Sequence, residues 1–397
     1  MKYQFIENAN IEEMNEFVVN SPMNSFLQMY EWADVKDNWG HLFCAVKDEN
    51  GKMVASILIL TRSAPFGYKM MYIPRGPIMD YQNEELVTFV INRLKEIGKR
   101  EKAFVIRFDP NVLHNRYLFE EKDKEHIPQN EDVLERLKKL GALHKGFTMR
   151  VDESTQPRFV AAMDVDENYH DRLIRKTRQS LRTAEKKGTE YRAGHEYLDE
   201  FIESIHSTEG KQNIVLRGEE YFRHMVDVFG DKAIILTVYL NFPKQIQKLK
   251  QEIIDSEKAL AEATTKQGKH DASVALENAQ KELALLEEDY KREGKDEVIL
   301  GGQLALYNDN LMELLYQGNN TDYLRIRASY IMYEKCLDIC VEKGIPYCSF
   351  GGVDGTLDDH LTTFKSNWPI YIEEYLGEFN IVLNKLVYKV FEKVRKE

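Results

Sequence analysis

The stretch between Pro243 and Arg292 restricts this chain more than any other. Ile246, Leu249, Ile253, Ser256, Leu260 and Ala263 recur by threes and fours, and beyond Gly268 the pattern resumes through Ala272, Leu276, Ala279, Leu283, Leu286 and Tyr290. Apolar residues at that interval line one side of a helix, and two such helices bury their stripes against each other. Lys, Arg, Asp and Glu are mixed over the remaining positions, which reads as a solvated, structural arm. With Gly268 at the bend, the spacing predicts an antiparallel helical hairpin roughly 35 Å long at 1.5 Å per residue. Globular patterning stops at Pro243 and resumes at Val298, so the arm is an insertion.

Before the arm the chain mixes strands and helices. A helix over 11–20 and an amphipathic segment over 26–36 precede a hairpin, 41–48 with 52–62, turning at Asn50-Gly51. A third strand, 69–73, ends in Pro74-Arg75-Gly76-Pro77. Flanking prolines there predict an extended, stiff Arg75 whose guanidinium is aimed, which makes it a substrate-binding candidate. A helix over 83–101 leads to a buried strand, 103–108, ending at Asp109-Pro110. Residues 111–130 are charged and read as irregular; a helix over 131–140 closes at Gly141. From about 158 a similar order returns: strand 158–164, helix 169–187, a short strand at 191–193, helices at 195–209 and 219–229, and strand 233–240. After the arm come strands near 298–307 and 311–317, a helix over 323–343, and a final strand and helix within 371–394 that are expected to fold back onto the first domain. This is an α+β layer arrangement. Its expected units are 1–150 with 369–397, 151–242 with 297–368, and the arm, 243–296.

The formal charge of −12 argues against a protein that coats nucleic acid indiscriminately, and no DNA partner is expected. The longest apolar run, 54–60, is far short of the roughly 20 residues that span a bilayer. A cytoplasmic protein is expected, with any membrane contact peripheral, at the inner face. Cys44, Cys336, Cys340 and Cys348 suit a reducing compartment, and no histidine cluster accompanies the helical pair Cys336/Cys340, so no metal is expected. The sequence carries no P-loop, dinucleotide fingerprint, G-x-S-x-G or H-E-x-x-H motif, and no protein-bound cofactor is expected.

Three places concentrate chemistry. Between Arg172 and Arg192 cations far outnumber acids, and Arg175, Arg178 and Arg182, with Lys176 beside them, share a helix side. Such a row suits RNA phosphates; the alternative is a solvated helix face balanced elsewhere. Arg217 and Tyr221 share a helix start after the loop NIVLRG, a guanidinium fork one turn from an aromatic hydroxyl. In YCSFGGVDGTLDDHLTTFKSNW, 347–368, a strand breaks at Gly351-Gly352 and an acidic turn (Asp354, Asp358, Asp359) leads to Phe364-Lys365. A ring beside a cation can grip a nucleic-acid end. Alternatively, Phe364 plugs a core and Lys365 is solvated.

Taken in order, Gln28…Trp32…Lys36, Tyr72-Ile73-Pro74-Arg75-Gly76-Pro77, Phe108-Asp109-Pro110, the basic helix ending Lys187-Gly188, Arg217…Tyr221, the helical insert and Phe350-Gly351-Gly352…Phe364-Lys365 span nearly the whole chain. In these features it resembles the Fem (FemABX, MurM-like) aminoacyl-tRNA-dependent peptidyltransferases of peptidoglycan synthesis. The resemblance implies two GNAT-like (acetyltransferase-like) domains with a helical arm in the second. It also implies transfer of an amino acid from aminoacyl-tRNA to the amine of a stem peptide, or of a growing bridge, on a UDP-MurNAc-peptide or lipid II precursor. Lys36, Arg217, Tyr221 and a tyrosine after the insert, Tyr316, would hold the diphosphate end. Phe364 and Lys365 would receive the 3′ end of the charged tRNA, and Asp109 would lie near the acceptor amine. An ester to tRNA is already activated, so positioning, proton removal and oxyanion stabilisation suffice. Lys365 is expected to stabilise developing negative charge, and Asp109 either to orient the attacking ammonium or to serve as a structural strand end. The acids and Trp368 after Gly352 depart from commoner family endings. Two other classes compete: a non-catalytic RNA-binding scaffold using the arm, and an acyl-CoA-dependent N-acyltransferase, for which the pyrophosphate loop R/Q-x-x-G-x-G/A is missing.

Overall fold

The computed structural model describes residues 2–212 and 217–394. Its frame is a pair of eight-stranded sheets. The first contains β1 (Tyr3–Glu7), β2 (Gly40–Asp48), β3 (Met53–Ser63), β4 (Lys69–Ile73), β5 (Ile78–Met79) and β6 (Ala103–Phe108). The next strand, β7 (Leu113–Leu118), leaves for the second sheet, and β8 (Leu143–His144) returns to the first. The second sheet adds β9 (Phe159–Asp164), β10 (Thr189–Ala193), β11 (Ala233–Asn241), β12 (Glu297–Tyr307), β13 (Met312–Asn319), β14 (Tyr347–Val353) and β15 (Tyr371–Tyr375), whereas β16 (Phe379–Val382) closes the first. Strand orders are β1-β2-β3-β4-β6-β16-β8, with β5 beside β3, and β10-β11-β12-β13-β14-β9-β15-β7.

Local chemistry explains most elements. In the β2–β3 turn one Asp48 carboxylate oxygen accepts the backbone N–H groups of Asn50 and Lys52, each at 2.9 Å, and Gly51 takes the left-handed conformation that the turn needs. The helix Glu84–Arg100 is capped by Asn83, carries acids in its first turn and cations in its last, and buries Leu86, Val90, Ile91, Leu94 and Ile97 on the first sheet. A shared core joins the two sheets' layers. Trp32, Leu58, Leu60 and Phe104 from one side meet Phe201, Phe222, Phe229, Leu304 and Leu306 from the other.

Each sheet has one parallel pair, and the two pairs differ. The pair β4/β6 runs from Lys69↔Ala103 to Ile73↔Phe108, with one register shift after Lys69 and unbroken pairing from Met70↔Val105 onward. The pair β13/β14 holds only at Met312↔Cys348 and Glu313↔Ser349. Past Ser349 the strand β14 bulges, with Gly351 at φ +81°, and continues along β9 while β13 continues along β12. The second sheet therefore opens into a wedge where the first is closed.

Several expectations need correction. Residues 111–130 are not wholly irregular: 113–118 form an edge strand, hidden by its charges because its partner, β15, lies some 250 residues further on. Likewise 371–375 pairs with β9 and β7 in the second sheet, whereas 379–382 returns to the first and the helix Lys385–Val394 packs on it through Phe391 and Phe104, as expected. The basic helix is two helices, Tyr169–Arg172 and Arg175–Lys186, separated at an extended Leu173 whose side chain is buried. The helix expected from 323 starts at Ala328, after a left-handed Arg327. The Gly351-Gly352 pair bends its strand without ending it. In the arm, helices Phe242–Glu262 and Lys266–Glu293 turn at 263–265 instead of Gly268. Thr265 caps the second helix by accepting the Gly268 N–H at 3.0 Å, which puts Gly268 inside the first turn. The seam itself is as patterned, with Leu249, Ala272, Ala279 and Leu286 buried. Among the described residues no helix is long and apolar enough to cross a membrane.

Candidate functional site

Four sequence candidates converge on one face of β13. Lys36 ends the short helix Tyr30–Val35, one turn beyond Trp32. Its ammonium lies 4.6 Å from the Trp32 ring centre and 5.0 Å from that of Tyr221, and donates to the Tyr221 hydroxyl at 3.3 Å. The Arg217 guanidinium stands 5.3 Å from the same Tyr221 ring, and Tyr316 meets Tyr221 and Phe222 edge-on at 6.2 and 5.1 Å. Residues 213–216, most of the NIVLRG loop, lie outside the described residues. A bulge decides where Tyr316 points: Leu304 pairs with Tyr316 but Ala305 with Leu314, so Leu315 is extra and the strict alternation is broken. Burial, reinforced by the neighbouring Arg217 charge, pushes the Lys36 ammonium down to about 8. Among the described residues neither cation has a carboxylate partner. Two like charges held together on aromatic faces repel until an anion joins them, and a diphosphate suits that geometry.

Lys365 comes from the opposite face. It ends the helix His360–Lys365, whose first turn Asp359 caps by accepting the N–H groups of Leu361 and Thr362 at 2.8 and 3.0 Å. The lysine is 3% exposed, so the solvated alternative is excluded. Its ammonium donates to the Gly352 carbonyl at 2.9 Å. A β-carbon built on Gly351 would stand 3.8 Å from that nitrogen and 3.6 Å from the Leu314 carbonyl. Gly351 thus sits between the amine and the edge of β13, with both within van der Waals reach of its β-carbon position. Burial holds the Lys365 ammonium down to about 7, with Asp359 alone opposing. Phe364 packs edge-on against Tyr330 and Tyr333 at 5.2 and 5.1 Å, a partly buried wall of the core beside the wedge.

The basic helix belongs to the Lys365 side. Arg175, Lys176, Arg178 and Arg182 are exposed and, among the described residues, have no carboxylate partner. The buried Thr177 on that helix donates its hydroxyl to the Asn367 carbonyl, two residues past Lys365, and so ties the basic face to the wedge.

Arg75 and Asp109 form a third group, away from Lys36 and Arg217. Arg75 is not extended but left-handed, at φ +51°. Proline constrains the residue before it, here Ile73 and Gly76, and leaves Arg75 free. Asp109 selects the conformation by accepting the Arg75 N–H at 2.6 Å, while its other oxygen accepts the Tyr72 hydroxyl at 2.8 Å. Burial lifts the Asp109 carboxyl to about 7, against the pull of Arg75 and Tyr72. With both oxygens engaged, Asp109 stands behind Arg75 and does not line the cavity that Arg75 faces. It thereby fixes the backbone of Arg75, whose guanidinium lies 4.5 Å from the Tyr375 ring centre and donates to the Pro157 carbonyl at 2.8 Å.

That cavity, about 520 Å³, lies between the 19–25 segment and the second sheet, with Arg75, Asn111, Glu313, Ser349, Glu373 and Tyr375 on its walls. Lys365 is not among them. Glu373 is occupied, accepting from Tyr347, Tyr375 and Arg116 at 2.6, 2.8 and 3.1 Å. Glu313 was not visible to sequence reasoning, although an acid inside the apolar run Met312-Glu313-Leu314-Leu315 was a signal for it.

Two mixed sheets in tandem, each with a single parallel pair and one pair splayed, define a tandem GNAT-like protein. A tandem GNAT protein from the clavulanic acid biosynthesis pathway superposes with a TM-score of 0.50 at 8% identity, covering 96% of this chain and 98% of its own, a likeness of fold alone. The chain belongs to the FemAB family, whose profile matches residues 10–396. A lipid II:glycine glycyltransferase of Staphylococcus aureus (strain MRSA252) is 30% identical over 413 residues, 97% of this chain and 94% of the relative. The crystal structure of FemX superposes with a TM-score of 0.78 at 26% identity, covering 99% of this chain and all of the other.

Proposed function

We propose that this protein is an aminoacyltransferase that moves an amino acid from aminoacyl-tRNA to an amine on the peptide of a peptidoglycan precursor, building the cross-bridge. The observation that carries this reading is the arrangement about β13: a buried lysine amine beside the point where β13 and β14 separate, and on the opposite face Lys36 and Arg217, which among the described residues have no carboxylate partner. The family membership and the glycyltransferase relatives support it. The aromatic-walled cations would take the diphosphate of the precursor. The exposed arginines of the Arg175–Lys186 helix would follow the acceptor-stem phosphates, with the 3′ end passing Phe364 into the wedge. There the Lys365 amine would sit near the ester carbonyl or terminal ribose, where a positive charge stabilises the oxyanion. The acyl group arrives activated, so the reaction asks for no cofactor.

A lipid-linked precursor would bring the protein to the inner face of the cell membrane. The helix Lys385–Val394 supports such peripheral contact: Val387 and Phe391 pack inward, while Leu386 and Val390, 78% and 64% exposed, stand outward among Lys385, Lys389 and Lys393. Apolar side chains rimmed by lysines fit an anionic bilayer surface. Sedimentation with anionic vesicles should be lost in L386E/V390E.

The reading is tested by one incubation with a mixture of charged tRNAs and both UDP-linked and lipid-linked precursors, followed by mass spectrometry. A mass gain of one residue on a precursor identifies donor and acceptor together. No gain with any pair, using protein that binds the precursor, overturns it.

A further inference from the structure

The cavity beneath Arg75 is lined by a carboxylate that no other described residue bonds. Among the described residues Glu313 forms no hydrogen bond or ion pair, whereas Glu373 on the same wall has three donors and Asp109, behind it, has both oxygens bonded. Its place in the sheet is specific. Glu313↔Ser349 is the last parallel pair before β13 and β14 separate, and the next residue, Leu314, contributes the carbonyl that borders the space beside the Lys365 amine. Leu314 faces the core layer on the Lys365 side, so Glu313 faces the cavity; the bulge at Leu315 brings Tyr316 round to the same face, three residues or roughly 10 Å along the strand. The diphosphate cluster and Glu313 thus line one side of β13, and the wedge with Lys365 opens onto the other.

We infer that Glu313 is the base that receives the acceptor ammonium, and that the cavity it lines is the subsite for the amine-bearing end of the precursor peptide. This rests on the aminoacyl-transfer reading and deepens it. The acceptor R–NH3+ gives a proton to the Glu313 carboxylate, and the freed lone pair attacks the ester carbonyl carbon in the wedge. A C–N bond forms and the carbonyl π pair moves onto oxygen, next to the Lys365 ammonium. Collapse breaks the bond to the ribose oxygen, which takes the second proton from nitrogen, and the Glu313 carboxyl returns its proton to solvent. The groups around this carboxylate are Arg75 from the β4–β5 turn, Tyr347 and Cys348 from β14, and Glu373 and Tyr375 from β15. Burial raises the Glu313 carboxyl above the usual range, with Arg75 opposing, which moves a base toward neutrality where proton transfer is efficient.

The test is steady-state transfer by the full chain carrying E313Q or E313D, with aminoacyl-tRNA and precursor as substrates and thermal melting as a fold control. E313Q should lower kcat by about 100-fold or more, the range of a general base, with precursor Kd by calorimetry within threefold. The acid limb of the wild-type kcat profile should vanish in E313Q and persist in E313D, which keeps a carboxylate and should recover part of kcat. The inference is overturned if E313Q retains kcat within threefold, if only precursor binding weakens, or if the acid limb survives in E313Q. Transfer lost in Lys365→Met but untouched in E313Q would reject Glu313 alone. Absence of transfer by the wild type would reject the reading beneath it.

Discussion

Replacing Lys365 with methionine should abolish transfer and, at neutral pH, make the protein more stable. Lysine's ordinary value is 10.5 and burial holds this one down to about 7, with the side chain 3% exposed. The sign follows from proton counting. Between about 7 and 10.5 the unfolded chain binds a proton at this site that the folded chain does not, so stability rises with pH across that window. Below it both states carry the proton and the full cost of burying the charge remains. At 1.36 kcal/mol per factor of ten, the gap corresponds to about 4–5 kcal/mol at pH 7 and below, shrinking to about 1 kcal/mol near pH 10. Methionine removes that cost but also leaves the Gly352 carbonyl without its donor, a loss of about 1–3 kcal/mol. The variant should therefore unfold at higher temperature than the wild type at pH 7, by the equivalent of roughly 1–4 kcal/mol, and lose that advantage by pH 10. Melting curves of both proteins at pH 6, 7, 8.5 and 10, beside turnover with saturating substrates, read the two effects separately. A stability difference that does not change with pH would show that the amine is not held in a low-dielectric wedge. Near-normal turnover would remove it from the chemistry.

Other perturbations separate the roles of the remaining groups. Arg217→Ala should raise the precursor KM at least tenfold with kcat little changed, because binding through a diphosphate is equal in ground and transition states; a fall in kcat alone would count against the cluster as a binding site. Changing Arg175, Arg178 and Arg182 together to alanine should raise the KM for aminoacyl-tRNA and flatten its dependence on the logarithm of salt by about two to three; an unchanged slope would mean that these arginines face solvent only. Asp109→Asn should remove a distinctive stability trend. The folded carboxyl keeps its proton to about 7 while the unfolded one loses it near 3.8, so this group makes the wild type less stable as pH rises from 3.8 to about 7. Urea titrations at pH 4.5 and 7 should show that the asparagine variant lacks this contribution, and equal pH dependence in both proteins would refute it.

Local patterning went a long way here. The arm's seam, the Asn50-Gly51 hairpin and the buried strand 103–108 each carry their signal within one stretch, and each appears where its period or turn chemistry puts it, although the partners of 103–108 are 69–73 and 379–382. What failed was decided at long range. The strand 113–118 carries too many polar groups to look like one, and it exists because 371–375 offers it a ladder. Arg75 bends left-handed because a carboxylate from another strand accepts its N–H. The order of short motifs singled out Lys36, Arg217, Tyr221, Tyr316 and Lys365 as candidates, yet gave no hint of their sides. One extra residue in β13 turns Tyr316 toward the cations, and one splayed strand pair makes room for a buried amine. Residue type and spacing were thus enough to establish the α+β layers, the inserted arm and the chemical groups available. Which of those groups lost their water and their partners was settled only in the folded chain, because burial and pairing are set by neighbours that no stretch of sequence contains.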